Sequence, residues 1–168
     1  TAKLAKLTAL AIRKGVVDPV QGAVLVRKIA TTLLTVVPTH KGLWPHFTKA
    51  GGTQLADGLQ IEYASGDTCY AILDLMVALK LIGDPDGRLP SCISFVQAID
   101  WADLRRPGHG YSHGYNRDLS ALAGTWEGFG METLGVMLCA MMDGNAASEM
   151  RAPPSDNGSG FILHAHYP

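Results

Sequence analysis

The sequence has no excess of charge of either sign and no run of basic residues. Its 14 Lys and Arg are matched by 15 Asp and Glu, which gives a net charge of −1 at pH 7. Nucleic acids and anionic membranes attract proteins through concentrated positive charge, which this sequence lacks. A membrane-spanning helix needs about 18 or more apolar residues in succession, and Asp74 and Lys80 interrupt the best candidate. We therefore predict no nucleic-acid partner and no membrane insertion.

Cysteine is scarce. Cys69, Cys92 and Cys139 are an odd number, lack the spacing of metal ligands and lie among apolar neighbours, so we expect buried free thiols. A secreted protein can still pair two of them, and the cysteine content therefore does not decide the compartment. The sequence also begins without Met and without the charged start, apolar centre and cleavage site of a signal peptide, as an excerpt or a mature form would.

Alternation of polar and apolar residues, the mark of strands, is weak throughout, whereas helical periodicity is frequent. Apolar spacing, caps and stop signals predict helices over 1–14, 18–38, 65–82, 91–101 and 131–142. In the first of these, Leu4, Leu7, Leu10 and Ala11 form the expected buried face. The stretches 65–82 and 131–142 are apolar around nearly the whole helix, which places both inside the protein. We therefore predict an all-α fold.

Residues that carry chemistry are concentrated in two segments, 42–68 and 105–130. Glycine and proline keep both segments from forming regular helices. The first combines aromatic rings, a histidine and two carboxylates, and leads directly into the apolar stretch 69–82. A polar, aromatic loop joined to a buried helix is typical of a functional site that a rigid element supports.

Four motifs follow one another along the chain: Gly42-Leu-Trp-Pro-His-Phe47, Glu62-Tyr-Ala-Ser-Gly-Asp-Thr68, Ile99-Asp-Trp101 and Gly124-Thr-Trp-Glu-Gly-Phe-Gly-Met-Glu132. Together they resemble the glucoamylase-like (α/α)6-toroid domain of bacterial glycoside hydrolases, including those that act on β-1,2-glucans. The resemblance covers about residues 15–145.

This resemblance implies a part of an (α/α)6 toroid built from helical hairpins, with long loops that form the site. Residues 1–168 would then be one domain and an incomplete portion of the toroid, which the rest of the polypeptide or a second fragment completes. The implied protein is periplasmic or secreted rather than cytoplasmic. Its implied activity is hydrolysis of a bacterial glucan or related polysaccharide.

Three carboxylates are the catalytic candidates: Glu62, Asp67 and Glu132. Glycosidic hydrolysis uses two carboxyl groups, one that protonates the leaving oxygen and one that is ionised. Each candidate lies near the start of an apolar helix, where burial favours a protonated acid and the helix N-terminus favours an ionised one. We predict Glu132 and Glu62 as acid and base, with Asp67 third. A helix cap for Asp67, and a structural ion pair or hydrogen bond for the glutamates, are the alternatives.

The predicted substrate contacts are aromatic and polar side chains near these carboxylates. They are Trp44, His46, Tyr63, Trp101, Tyr111, His113, Trp126 and Glu127. The rings would stack on sugar faces, and the histidines would bind sugar hydroxyls or the carboxylates. Packing in the core explains each aromatic ring equally well, and Glu127 is also typical of a solvated loop.

The histidines leave a metal site as an alternative, in which His46, His109 and His113 act with Glu62 or Asp67. Nothing resembles His-Glu-x-x-His, and the segment 109–113 has no helical context, so we predict no metal. The sequence also lacks a nucleophile elbow and a phosphate-binding lysine loop, and we predict no other cofactor. Two alternative functions stay open: a non-catalytic carbohydrate-binding or scaffold domain, and a polysaccharide lyase.

Overall fold

The computed structural model describes residues 1–57, 62–126 and 131–144, and within these ranges the chain forms six helices and two small antiparallel sheets. The helices are α1 (Ala2–Arg13), α2 (Pro19–Thr35), α3 (Ser65–Leu81), α4 (Leu89–Gln97), α5 (Trp101–Leu104) and α6 (Met131–Met142). The strands are β1 (Glu62–Ala64), β2 (Arg105–Arg106), β3 (Gly110–Ser112), β4 (Gly114–Asn116) and β5 (Thr125–Trp126). One sheet pairs β1 with β4, and the other has the order β2-β3-β5.

Helix α3 is the centre of the core. It packs against α1, α2, α4 and α6, and Cys69, Ile72, Leu75 and Leu79 are fully buried. This agrees with the expectation that a helix with apolar residues on nearly all sides lies inside. No helix within the described ranges combines the length and the hydropathy that crossing a membrane requires.

Helix α1 begins and ends where its sequence predicted, but the predicted buried face is wrong. Ala5 and Ala9 are fully buried, whereas Leu4 and Leu7 are exposed. Small side chains let two helix axes approach closely, and α1 lies against α3 through its alanines. An ion pair between Lys6 and Asp74 joins the same two helices. The apolar period of α1 therefore does not mark the face that α3 covers.

Of the three predicted N-terminal helix caps, the cap of α2 is confirmed and those of α3 and α4 are not. Asp18 accepts a hydrogen bond from the Gln21 backbone N–H at 2.8 Å, and Pro19 follows it, as predicted for α2. The caps predicted for α3 and α4, Ser65 and Ser91, are wrong, because the residues that precede these helices are Ala64 and Arg88. At α4 the carboxylate of Asp84 accepts from two backbone N–H groups at 2.7 and 3.0 Å.

The prediction of an all-α toroid portion is wrong, because the described residues form a mixed α/β fold. Strands β1 to β5 contain only two or three residues each. A polar and apolar alternation needs about four or more residues to be recognisable, so these strands leave no pattern in the sequence. Gly114 adopts a φ of +128° and lets β4 pair with β1. Parts of the segment 105–126, which was expected to be a loop, therefore form β-strands.

All three cysteines are free and buried, as the sequence predicted. Burial raises the pKa of the Cys92 thiol to about 11. Burial also raises the pKa of Cys69, and a hydrogen bond with the Cys139 side chain adds to this effect. The neutral thiol is the weaker nucleophile of the two forms, and burial also keeps a reagent away from all three sulfur atoms. The three cysteines should therefore react slowly in the folded protein.

We expect the native protein at pH 8 to react with no equivalent of a thiol-specific chromogenic disulfide reagent within minutes. In denaturant, about three equivalents should react, one for each cysteine. The absorbance released with and without denaturant measures this. Rapid reaction of one thiol in the native protein would contradict the buried positions described above.

Candidate functional site

The backbone brings segment 44–46 alongside β1 and the first turn of α3. The Trp44 N–H donates to the Thr68 hydroxyl at 2.9 Å, and the His46 N–H donates to the Glu62 carbonyl at 2.8 Å. Pro45 pairs with Tyr63 in an isolated antiparallel bridge. These contacts join two sequence motifs about twenty residues apart into one surface. The side chains of His46, Glu62 and Asp67 emerge from it.

These three side chains form a close group of one histidine and two carboxylates within the described residues. The Nδ1 atom of His46 lies 3.5 Å from Oε1 of Glu62 and 3.5 Å from Oδ2 of Asp67. One donor atom from each residue lies within 4.8 Å of the other two. The side chain of Glu62 is 33% exposed and that of Asp67 is 53% exposed, so solvent and a ligand can reach both carboxylates.

An open cleft begins at His46 and Asp67. Its volume is about 770 Å³, which lies in the range of pockets that hold small ligands, about 300–1,000 Å³. Thr48 and Lys49 line it on the loop side, and Tyr70 and Asp74 line it on α3. Glu62, close to the His46 ring, adjoins this lining. Two carboxylates therefore lie beside a cleft that is large enough for a small ligand.

A hydrogen-bond network holds the start of α3 against the second sheet. The Ser65 hydroxyl donates to the Ser112 carbonyl at 2.7 Å and accepts from the Trp126 indole N–H at 2.9 Å. The Trp126 ring packs on His113 with a centroid distance of 3.9 Å. The partly buried Trp126 and His113 therefore sit beside the helix turn that carries Asp67.

A second polar group supports β4, the partner of β1. Asp103 accepts hydrogen bonds from Tyr115 and from the Lys41 ammonium group, the latter at 2.7 Å. The Lys41 contact, followed by the Tyr115 contact, lowers the pKa of the Asp103 carboxyl. Burial, together with the bond to Asp103, raises the pKa of Tyr115. Because Tyr115 lies opposite Tyr63 in the sheet, this group stabilises the strand that holds Glu62.

Four of the aromatic residues predicted to contact substrate belong to the core. Trp44 donates its indole N–H to the Leu33 carbonyl at 3.0 Å, and Trp101 donates its own to Val96 at 3.0 Å. Tyr63 and Tyr111 are also buried. The structure thus places these rings where packing and hydrogen bonds stabilise the fold, and Trp44 also lines the cleft. His46, His113 and Trp126 lie around the start of α3.

The remaining predicted residues are not brought into this group. Glu127 lies outside the described residues, and so does the side chain of Glu132, whose backbone is in the first turn of α6. His109 lies in the turn between β2 and β3 and is not part of the ionisable group around His46. Of the carboxylates predicted to be catalytic, Glu62 and Asp67 are therefore the pair whose geometry the structure defines.

The sequence interpretation missed three residues of this surface. Phe47 is exposed, and its ring stacks on His46 at 4.2 Å with an interplanar angle of 7°. Tyr70 and Asp74 line the cleft on α3. Asp67, Tyr70 and Asp74 are separated by three and four residues, the spacing of one helix face. That polar stripe was a signal in the sequence, while nothing local marked Phe47 as exposed.

Comparison of the chain with protein-family models, with curated proteins and with solved structures gives no match. Two carboxylates, Asp67 exposed and Glu62 partly buried, converge on one imidazole at an open cleft, and the exposed Phe47 ring stacks on that imidazole. Such an arrangement is suited to proton transfer, to nucleophilic attack by a carboxylate and to binding of a polar ligand.

Proposed function

We propose that the chain carries a site that hydrolyses glycosidic bonds, with Glu62 and Asp67 as its carboxylate pair. The observation that carries this proposal is the convergence of the two carboxylates on His46 at the edge of the cleft. The resemblance of the four motifs to glucoamylase-like glycoside hydrolases supports the same reaction. It also supports a glucan or a related polysaccharide as the substrate.

The two carboxylates differ in position, and this difference assigns their roles. Asp67 lies in the first turn of α3, a helix of 17 residues. The partial positive charge at a helix N-terminus stabilises an anion there by about 0.3–1 kcal/mol. Glu62 lies on β1, before the helix begins, and is the less exposed of the two. We assign Asp67 as the ionised nucleophile and Glu62 as the acid that protonates the leaving oxygen.

The separation of the carboxylates predicts the stereochemical outcome. One oxygen of each lies within 4.8 Å of the other. Retaining glycosidases place their carboxyl groups about 5 Å apart, whereas inverting enzymes need about 6.5–9.5 Å to admit a water molecule between the carboxylate and the sugar. We therefore expect hydrolysis with retention of the anomeric configuration, through a glycosyl ester on Asp67.

Two aromatic pairs near the start of α3 offer surfaces for sugar rings. The exposed Phe47 ring stacks on His46, and Trp126 packs on His113. Their polar partners, the imidazoles, can bind sugar hydroxyls. The cleft beyond Asp67 continues past Tyr70 to Asp74, where Lys6 pairs with the carboxylate. The polar side chains of its lining, Thr48, Lys49 and Asp74 among them, can bind sugar hydroxyls.

The test is incubation of the protein with linear and cyclic β-glucans, α-glucans and arabinans, followed by chromatography and mass analysis. We expect shorter saccharides from one of these polymers. Proton NMR during the first minutes should show the product in the anomeric form of the substrate. Inversion of the configuration would mean that the two catalytic carboxyl groups are farther apart than those of Glu62 and Asp67. Another carboxylate, such as Glu132, would then be one of the pair.

Two other results would replace the proposal. Intact polymers that nevertheless bind the protein would identify a carbohydrate-binding domain, because binding requires no proton exchange. Products with an unsaturated ring, detected by near-ultraviolet absorbance, would identify a lyase. Only new reducing ends without that absorbance agree with hydrolysis.

A further inference from the structure

We propose that His46, Glu62 and Asp67 form a binding site for a divalent cation, with Zn²⁺ as the best-suited ion. This inference concerns the same three side chains as the proposed hydrolysis but does not depend on it. It also departs from the sequence interpretation, which predicted no metal. The distances between the three donor atoms and the chemical types of these atoms favour a bound cation.

The three donor atoms lie close together but do not form short hydrogen bonds with one another. The 3.5 Å from the His46 Nδ1 atom to each carboxylate exceeds the usual length of a charge-assisted hydrogen bond, about 2.7–2.9 Å. Since no pair of donor atoms is more than 4.8 Å apart, a point between them lies close to all three. An ion at that point needs metal–ligand bonds of about 2.0–2.6 Å to each donor atom. Small rotations of the side chains then complete the coordination.

The donor set indicates which ions fit. Imidazole nitrogen suits Zn²⁺ and its transition-metal neighbours, whereas Mg²⁺ and Ca²⁺ prefer oxygen ligands alone. One imidazole and two carboxylates give three ligands, and the partial exposure of all three leaves room for water or a ligand oxygen in a fourth position. The net charge of the ligands is −2 when the imidazole is neutral, which balances a divalent ion.

The surroundings hold the ligands in place and leave an entry path. The Phe47 ring, stacked on His46, restricts rotation of the imidazole. The His46 backbone N–H donates to the Glu62 carbonyl and ties the two ligand segments together. His46 and Asp67 both line the open cleft, through which an ion can enter. A bound cation would hold both carboxylates coordinated, and would therefore inhibit hydrolysis reversibly.

Isothermal titration of the whole chain with ZnCl₂ tests the inference directly. His46→Ala and Asp67→Asn should each weaken binding by at least about tenfold, because even supporting residues around metal ligands contribute about 10–100-fold. His109→Ala is the matched control, because His109 is exposed but does not belong to the group. Its Zn²⁺ affinity should equal that of the unchanged protein.

The same titration is repeated in a variant that lacks His164 and His166. These two histidines lie two residues apart in the sequence and are themselves possible Zn²⁺ ligands. The double variant His164→Ala/His166→Ala should retain one equivalent of Zn²⁺, and this equivalent should still depend on His46 and Asp67. The inference is overturned by absence of binding, by binding that His46→Ala and Asp67→Asn leave unchanged, or by binding that the double variant abolishes. Tighter binding of Ca²⁺ than of Zn²⁺ would also overturn it, because the imidazole would then not be a ligand. Circular dichroism verifies that each variant is folded.

Discussion

Replacing Glu62 by Gln is expected to reduce the proposed hydrolysis about 10³-fold or more, while sugar binding changes little. Gln keeps the shape and polarity of the side chain but cannot give a proton to the leaving oxygen. A positioned general acid contributes about 10²–10⁴-fold to a rate. Glu62 is 33% exposed, so the amide is accommodated without an unpaired buried charge. Initial rates on the polymer identified in the panel, and its dissociation constant, measure the two effects.

Asp118→Asn is the matched control for this experiment. Asp118 is an exposed carboxylate whose Oδ1 atom accepts from the Ser120 N–H and hydroxyl in its own loop. Its replacement removes the same charge without touching the site, and the rate should stay within about twofold of the unchanged protein. Comparable losses in both variants would show that general destabilisation, and not the acid at Glu62, explains the result.

A synthetic substrate with an acidic phenol as its leaving group separates the two carboxylates. Such a leaving group departs without protonation, so the Glu62→Gln variant should form the glycosyl intermediate at close to the normal rate. Asp67→Asn removes the nucleophile and should stay inactive on both substrates. The opposite pattern, with activity preserved in Asp67→Asn, would exchange the assigned roles.

Replacing Gly114 by Ala is expected to destabilise the whole protein by more than about 4 kcal/mol, a value reached only by the most damaging substitutions. A Cβ atom at this position would lie 1.9 Å from the Tyr63 carbonyl oxygen, and the φ of +128° is strained for any L side chain. Gly114 lies opposite Ala64 in the sheet of β1 and β4. The strands must separate to relieve the clash, and Glu62 moves with β1. Chemical denaturation measures the free energy of unfolding.

Gly108→Ala provides the comparison. Gly108 also has a positive φ, +78°, but a Cβ atom there meets nothing within 4 Å. Only the backbone strain is then added, about 1–2 kcal/mol. A difference of several kcal/mol between the two variants is the expected outcome. Equal losses would show that φ, and not the close approach of β4 to β1, makes Gly114 necessary.

Part of the candidate site could be predicted from sequence because its residues are close in the chain. Glu62 and Asp67 precede the buried stretch of α3 by only a few residues, so their proximity follows from local geometry. The position of His46 next to these carboxylates does not follow from local geometry. It depends on the backbone bonds between segment 44–46 and β1, which the motif Gly42 to Phe47 does not itself encode.

The aromatic residues show the limit of the same reasoning. Trp44, Trp101 and Trp126 look alike in sequence, because each lies within two residues of a His, Asp or Glu in a glycine-containing or loop segment. The first two are buried and bond to backbone carbonyls, while Trp126 bonds to Ser65 next to the site. Whether a ring serves the core or a surface depends on what covers it, and distant segments supply that cover.

The sequence by itself determined the helices whose signals are local. Asp18 and Pro19 begin α2, Gly15 ends α1, and the continuous apolar stretch of α6 has the predicted bounds. Caps, stops and periodicity act between residues a few positions apart, so they can be read along the chain. Only the tertiary structure decided that α1 buries its alanines, that two-residue and three-residue strands form sheets, and that His46 joins Glu62 and Asp67. Each of these depends on free energy gained between segments that are far apart in sequence, which no local pattern records.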